Sequence, residues 1–397
     1  MPEQPTTQQT SGPSSIRRRL VVKLVAAVLG LVVALLLGEG LVRVYANAGG
    51  EGGRRLAARD PQAILYEPFG RFGYRPTPGK VEKYYNGTRS TFNTMGYRGP
   101  LVDTAKPKGV FRIVLLGGST MAGYGVDDDQ TIDAYMRTLM KSRYPNSCVE
   151  VVNLALGGYD SYQDYERLRV DGLRLSPDVI VLHTGINDVR NARYPDLGSP
   201  PDRRTLIWES VMSQLRAAQA TGPSVWSTVK HYSYLARLPG YIREILRQGH
   251  ELTAIRQDGP YDSAVEYFAL NVTRVVNLGL GAGAAVVLST PPSAIPMRNA
   301  PSDPVEKSYW IRDAGTTEAY RRRLADRLRE IARAERAGGN QVSYVSHALT
   351  LDQFLDDAHL TAGGNAAVAR DLVEAIQPFL PPTQVTVPTG NSGCGHP

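Results

Sequence analysis

The chain is poor in the residues that announce metal or redox chemistry. Two cysteines, Cys148 and Cys394, occur in 397 residues, too few for a disulfide framework. Cys148 opens an apolar segment and reads as a small buried hydrophobe, whereas Cys394 lies in a polar tail. A bridge between them is open to a chain outside the cytosol, though nothing in the sequence demands one. The six histidines are scattered, without a cluster or a Glu-x-x-His pair, so neither metal nor cofactor is expected. No Gly-Lys-Ser/Thr loop is present to cradle phosphate. The net charge of +7 comes without any nucleic-acid-binding motif, which argues against nucleic acid as a partner. The basic run Arg321-Arg322-Arg323, with Arg327 and Arg329, fits the solvated face of an amphipathic helix. Attraction to an anionic membrane or wall polymer is the milder consequence of such a charge.

What the sequence does contain starts with one long hydrophobic run. Residues 1–19 are rich in Pro, Gln, Ser and Thr and end on Arg17-Arg18-Arg19, which predicts a disordered cytoplasmic N-terminus. Leu20 to about Leu37 is apolar apart from Lys23, long enough to span hydrocarbon with Lys23 snorkelling to the interface. Residues 20–38 are therefore expected to form a transmembrane signal anchor, with everything after it outside the cytoplasm. The alternative is a signal peptide cleaved at Ala46-Asn47-Ala48, which the wide gap after Leu37 disfavours. Residues 39–60, including Gly49-Gly50-Glu51-Gly52-Gly53, read as a tether.

From residue 61 to 379 one α/β domain is expected. Residues 61–108 form an irregular lead-in with a short hairpin or two. Apolar runs at Phe111–Leu116, Val149–Leu156, Val179–His183, Ala284–Ser289 and Val342–Val345 read as buried strands. Between them lie helical patterns at Thr131–Arg143, Tyr162–Leu175, Ser263–Gly279, Thr316–Ala337 and Ala362–Gln377. Alternating strands and helices imply parallel βαβ units with right-handed crossovers. An insertion at 191–259, with a helical stretch at Leu235–Gln248, breaks the pattern directly after Asn187 and is expected to cap one wall of a site. Residues 380–397 are expected to be a disordered tail.

Four short segments carry chemistry: Gly117-Gly118-Ser119-Thr120, Gly157-Gly158, Gly185-Ile186-Asn187-Asp188 and Asp356-Asp357-Ala358-His359. The first three follow strands, and in an open parallel sheet ligands bind outside the carboxyl ends of the strands. Ser119 is the candidate nucleophile, which needs a nearby base. His359 alone among the histidines has a carboxylate at a spacing able to orient its ring. That carboxylate is Asp356, with Asp357 as the alternative. The Asn187 amide and the backbone N–H groups of Ser119 and Gly158 can form an oxyanion hole. Each element also has a plainer reading, as a helix cap or a turn residue.

Taken together, these segments resemble the SGNH hydrolases, a branch of the GDSL esterases and lipases. The resemblance implies a three-layer α/β/α flavodoxin-like fold. It puts the family's four namesake residues on Ser119, Gly158, Asn187 and His359, with Asp356 as the triad acid. Asn93-Thr94-Met95-Gly96-Tyr97-Arg98 is similar to the lead-in of membrane-anchored bacterial members. One departure is Gly118, where the family name has Asp. The implied activity is serine ester hydrolysis of an acylated small molecule, glycan or lipid. An O-acyltransferase using the same acyl-enzyme, and a non-catalytic glycan-binding scaffold, are the rivals. Oligomeric state is not legible.

Overall fold

The computed structural model describes residues 13–47, 56, 66–69, 73–84, 86–191, 225–253, 262–298 and 313–380. Residues 1–12, most of the tether, the C-terminal tail from 381 and residues 192–224 and 254–259 of the insertion lie outside them. Residues 13–19, expected to be disordered, and 39–47 of the expected tether are instead helical, because both continue the helix of the apolar run. The first described element is helix α1 (Pro13–Asn47). Two antiparallel hairpins follow, β1 (Tyr66–Phe69) with β2 (Gly73–Pro76), and β3 (Val81–Lys83) with β4 (Arg89–Thr91). Next come β5 (Val110–Gly117), α2 (Ser119–Ala122), α3 (Ile132–Arg143), β6 (Cys148–Asn153), α4 (Ser161–Arg167), β7 (Val179–His183) and α5 (Ile186–Asn191). Helices α6 (Val225–Tyr232) and α7 (Tyr234–Thr253) occupy the insertion. The chain continues through α8 (Asp262–Gly281), β8 (Ala285–Ser289), α9 (Ala314–Ala337), β9 (Val342–Val345) and α10 (Ala362–Ile376).

Two compact units result. The first joins α1 to residues 223–247, and the second holds the remaining described elements. In α1, Arg17–Asn47 is long and apolar enough to cross a membrane, and no part of its most apolar window is buried.

The second unit is built on one parallel sheet in the order β6-β5-β7-β8-β9. Counted along the sheet-forming part of the chain this is 2-1-3-4-5, the flavodoxin-like order, which reverses direction between β5 and β7. The three-layer expectation holds, and its cause is side-chain alternation along the strands. In β5, Val114 and Leu116 face a core shared with Phe268, Val272 and Leu324. Ile113 and Leu115 face the other, shared with Met136, Val368 and Leu372. Both faces of the strand are fully buried, as a covered parallel sheet requires.

Local signals set the helix starts. Thr131 caps α3 by accepting from Ala134 N, and Asp160 with Gln163 forms a capping box on α4. The helix expected over Tyr162–Leu175 is not regular. It widens to a π-helical turn at Leu168–Gly172 and tightens to a 3₁₀ turn at Leu173–Leu175. The strand expected over Val149–Leu156 ends at Asn153, whose side-chain oxygen accepts from Ala155 N and turns the chain toward Gly157. Cys148, at the start of β6, is disulfide-bonded.

Candidate active site

Three sequence segments meet at the carboxyl ends of β5 and β7, where the sheet order reverses. Ser119 is the first residue of α2, directly beyond β5. The turn depends on two glycines. Gly117 has φ +151°, and a Cβ there would lie 2.4 Å from His183 O on the neighbouring strand. At Gly118 a Cβ would lie 2.6 Å from Asn187 Nδ2. The family-name Asp, departed from here, would therefore push on the Asn187 amide.

His359 comes from the loop before α10, and its Nε2 lies 2.7 Å from Ser119 Oγ. Its Nδ1 lies 2.6 Å from Asp356 Oδ2. The second oxygen, Asp356 Oδ1, accepts from the backbone N–H groups of Ala358 at 2.8 Å and His359 at 2.7 Å. A three-residue turn thus holds the carboxylate with both oxygens engaged. Burial opposes ionisation of Asp356, but the His359 ring beside it and these hydrogen bonds together hold its pKa down at about 2. Asp357, the alternative partner, is fully buried and pairs with Arg298 at 3.1 Å. Ser119, Asp356 and His359 are 8%, 8% and 6% exposed, so the array sits at the floor of the surface.

The other predicted residues are close by. Asn187 is the second residue of α5, is 1% exposed, and donates Nδ2–H to Tyr159 O at 2.8 Å. Beside it, Asp188 accepts from Ser161 Oγ and tethers the β7 loop to the start of α4. Burial, and then the neighbouring Asp160 charge, push the Asp188 pKa up to about 7. Gly157 comes within 3.9 Å of Ser119 Cβ when given a Cβ of its own. Its carbonyl accepts from Tyr74 Oη at 2.8 Å. Because C=O and N–H of a trans peptide point in opposite directions, this bond orients the Gly158 N–H.

Tyr74 was not among the residues singled out from sequence. It stands on β2, meets Tyr159 edge-on at 5.3 Å between ring centroids, and its carbonyl accepts from Tyr159 Oη. Tyr124, also missed, stacks on the His359 ring at 4.3 Å between centroids. Arg98, from the lead-in motif, is 3% exposed and closes the loop after α2. It donates to the carbonyls of Arg89 at 3.0 Å, Ala122 at 2.9 Å, Gly123 at 2.5 Å and Val126 at 2.7 Å, and pairs with Asp128 at 2.8 Å. Neither the aromatic lead-in that holds Tyr74 nor the short loop after α2 that holds Tyr124 carries a period that flags these roles.

A second array of the same residue types lies farther along the sheet. Ser289 Oγ, at the end of β8, is 2.9 Å from His347 Nε2, and His347 Nδ1 is 2.8 Å from Asp371 Oδ2 on α10. Ser289 is also 2.8 Å from His183 Nδ1 and is wholly buried. The basic run on α9 is more engaged than a solvated face: Arg321 turns inward to Pro291 O at 2.9 Å, and Arg323 pairs with Asp262 at 2.5 Å.

The family model of the GDSL-like lipase/acylhydrolases matches residues 115–367. A GDSL-like lipase from Bacteroides thetaiotaomicron is 16% identical, with 68% of this chain and 89% of that one covered and a TM-score of 0.36. A catalytic mutant of an acetylxylan esterase from Geobacillus stearothermophilus is 14% identical, with 67% and 94% covered and a TM-score of 0.36. No curated protein matches the chain. The sheet order and the matched family, rather than these distant likenesses, carry the fold.

Proposed function

Since the chain belongs to the GDSL-like lipase/acylhydrolase family and is a serine esterase of that family, we propose that Ser119, His359 and Asp356 are its triad, working outside the cytoplasm on a short acyl group of an envelope glycan or lipid. The observation that carries the triad reading is the unbroken chain from Ser119 Oγ to His359 Nε2 at 2.7 Å and from His359 Nδ1 to Asp356 at 2.6 Å.

The steps follow from those contacts. Ser119 Oγ attacks the ester carbonyl while His359 Nε2 takes its proton. Asp356, held ionised, keeps the ring in the tautomer with Nδ1–H and stabilises the imidazolium that forms. The negative charge on the tetrahedral oxygen is met by the backbone N–H groups of Ser119 and Gly158 and by Asn187. One Asn187 N–H goes to Tyr159 O, which leaves the other for the oxyanion. A donor of this kind contributes about 2.7–4 kcal/mol to the transition state. The imidazolium then protonates the departing alcohol, leaving an acyl-enzyme on Ser119. Water attacks with His359 again as base, and the carboxylic acid departs.

The location rests on α1 with Arg17-Arg18-Arg19 before it, and on the disulfide at Cys148, which fits an oxidising compartment. A serine only 8% exposed suits a short acyl group. The test is labelling of the full-length enzyme by a fluorophosphonate, read by intact mass, beside hydrolysis of p-nitrophenyl esters of increasing chain length. Labelling of wild type but not of Ser119→Ala, and rates falling with chain length, are expected. Unchanged labelling of Ser119→Ala removes the triad reading, and a preference for long chains removes the short-acyl reading. Faster acyl transfer to an added oligosaccharide than to water would make the enzyme a transferase.

A further inference from the structure

Two charged residues sit on α1 just past its apolar run, Glu39 and Arg43, paired at 2.7 Å. Both serve the break between α6 and α7. Glu39 accepts from Ser233 Oγ at 2.7 Å, Tyr234 N at 3.0 Å and Leu235 N at 2.9 Å, and so satisfies the first N–H groups of α7. Arg43 donates to Tyr232 O at 2.6 Å, and Arg237 donates to Lys230 O at 2.6 Å and His231 O at 2.5 Å, closing the carbonyl end of α6. Gly38 permits the approach, since a Cβ there would stand 3.3 Å from Leu235 Cδ2. The hydroxyls of Tyr45 and Tyr241 meet at 3.4 Å. The bend between the two helices is therefore fixed at the level of α1 where hydrocarbon-compatible sequence stops.

The outer surface of this hairpin is apolar. Val225, Trp226, Val229 and Tyr232 recur on one face of α6 at 83%, 56%, 38% and 69% exposure. Ile242 and Leu246 add 47% and 63% on α7. Cations flank them: Lys230 Nζ lies 5.6 Å from the Trp226 ring centroid, and the Arg43 guanidinium lies 5.1 Å from that of Tyr234. On α1 itself Leu36, Leu37 and Leu41 are 66%, 64% and 72% exposed, so the apolar surface continues from anchor to hairpin. Trp and Tyr beside Lys and Arg, on a helix with one apolar face, is the composition that settles at the boundary between headgroups and acyl chains.

We propose that α6 and α7 form a membrane-interfacial foot, which lays this face into the outer leaflet at the end of the anchor. The occupant is phospholipid, because Glu39 and Arg43 hold the hairpin at the height where the apolar run ends. The proposal rests on reading α1 as a membrane span. It gives part of the insertion a use distinct from ester chemistry.

Depth-dependent quenching in the full chain, reconstituted in phospholipid vesicles, tests it. With Trp208→Phe and Trp310→Phe, Trp226 is the single reporter. Its emission should shift to the blue, lose most of its intensity to phospholipid brominated near the head of the acyl chain, and resist aqueous iodide. A companion chain with Trp226→Phe and Leu29→Trp reports on the span and should respond to bromine deep in the chain. If Leu29→Trp is quenched in the bilayer while Trp226 yields to iodide alone, the foot is wrong and the anchor stands. If neither reporter meets brominated lipid, the anchor and the foot both fall. The wild-type chain with a diazirine-bearing phospholipid needs no substitution. Adducts on residues 225–246 are expected, and adducts confined to residues 20–37 overturn the foot. Ester hydrolysis, measured on the same vesicles, reads the Ser119 assignment separately.

Discussion

Two serine–histidine–aspartate arrays stand at the carboxyl ends of the same sheet, with nearly equal distances. In one, Ser119, His359 and Asp356 are linked at 2.7 and 2.6 Å. In the other, Ser289, His347 and Asp371 are linked at 2.9 and 2.8 Å. They differ in what surrounds the serine. Ser119 follows two glycines, of which Gly118 packs against Asn187, lies beside Gly157, and keeps some exposure. Ser289 is wholly buried inside β8 and has a second imidazole, His183, on its oxygen. No ester can reach it. Burial also lowers the pKa of His183, favouring a neutral ring in that interior. Proton-relay geometry is thus compatible with a purely structural network, and access together with donors for the oxyanion separates the two.

Substitutions made in parallel break or sharpen that contrast. Ser119→Ala should lower kcat by at least about 10⁴-fold, as removal of a triad nucleophile does, while Ser289→Ala should leave kcat intact and lower the melting temperature. Equal losses in both would sink the contrast. Asp356→Asn should cost about 10³–10⁴-fold in kcat by releasing the imidazole to the wrong tautomer, and Asp371→Asn should change melting alone. Asn187→Ala should lower kcat by about 10²–10³-fold with KM little changed; a change confined to KM would make it a ground-state contact. Tyr74→Phe removes one hydrogen bond of about 1 kcal/mol net, so a several-fold fall in kcat is expected, and an unaltered kcat would show that the Gly157–Gly158 peptide holds its direction unaided.

The smallest effect concerns stability. Asp188 titrates at about 7 in the folded chain and near 4 when unfolded. Between those values the folded state carries the additional proton, so this group's contribution to stability is full below about pH 4 and is lost as pH rises through 7. Asp356 runs the opposite way, its contribution vanishing only as pH falls toward 2. Melting temperatures of wild type and Asp188→Asn at pH 5 and pH 8 check this. The variant should lose less on going to the higher pH, and parallel curves would reject the assignment.

Much of the sheet was legible because fully covered parallel strands leave unbroken apolar runs. Four of the five fell within a residue or two of their observed bounds, Val149–Leu156 overshooting because its last residues keep strand-like backbone pairing without continuing the ladder. The short motifs around Ser119, Gly158 and Asn187 were legible for a related reason, since each falls within five positions after a sheet strand, whereas His359 lies 14 positions beyond β9 and was picked out only by its spacing from Asp356. The roles of Tyr74, Tyr124 and Arg98 were not legible, because their partners lie far along the chain: Tyr74 meets Gly157, 83 positions on, and Tyr124 meets the ring of His359 in the last motif. Periodicity reports on the face a residue presents, not on which distant carbonyl it meets. The π-helical turn at Leu168–Gly172 was equally hidden. Neither did the apolar period of α7 disclose that Glu39 would cap it.

The Arg98 guanidinium joins residues 89, 122, 123, 126 and 128 around one point, and Tyr74 fixes a peptide beside Ser119. The smallest heritable module is therefore larger than the stretch bearing the four recognisable signatures. A gene fragment beginning at the first sheet strand would encode every signature and the whole sheet. It would nonetheless lack the brace that keeps the serine loop and its neighbouring peptide in register. Recombination or grafting of this enzyme should take its breakpoint upstream of Tyr66, where two modest hairpins begin to do that bracing.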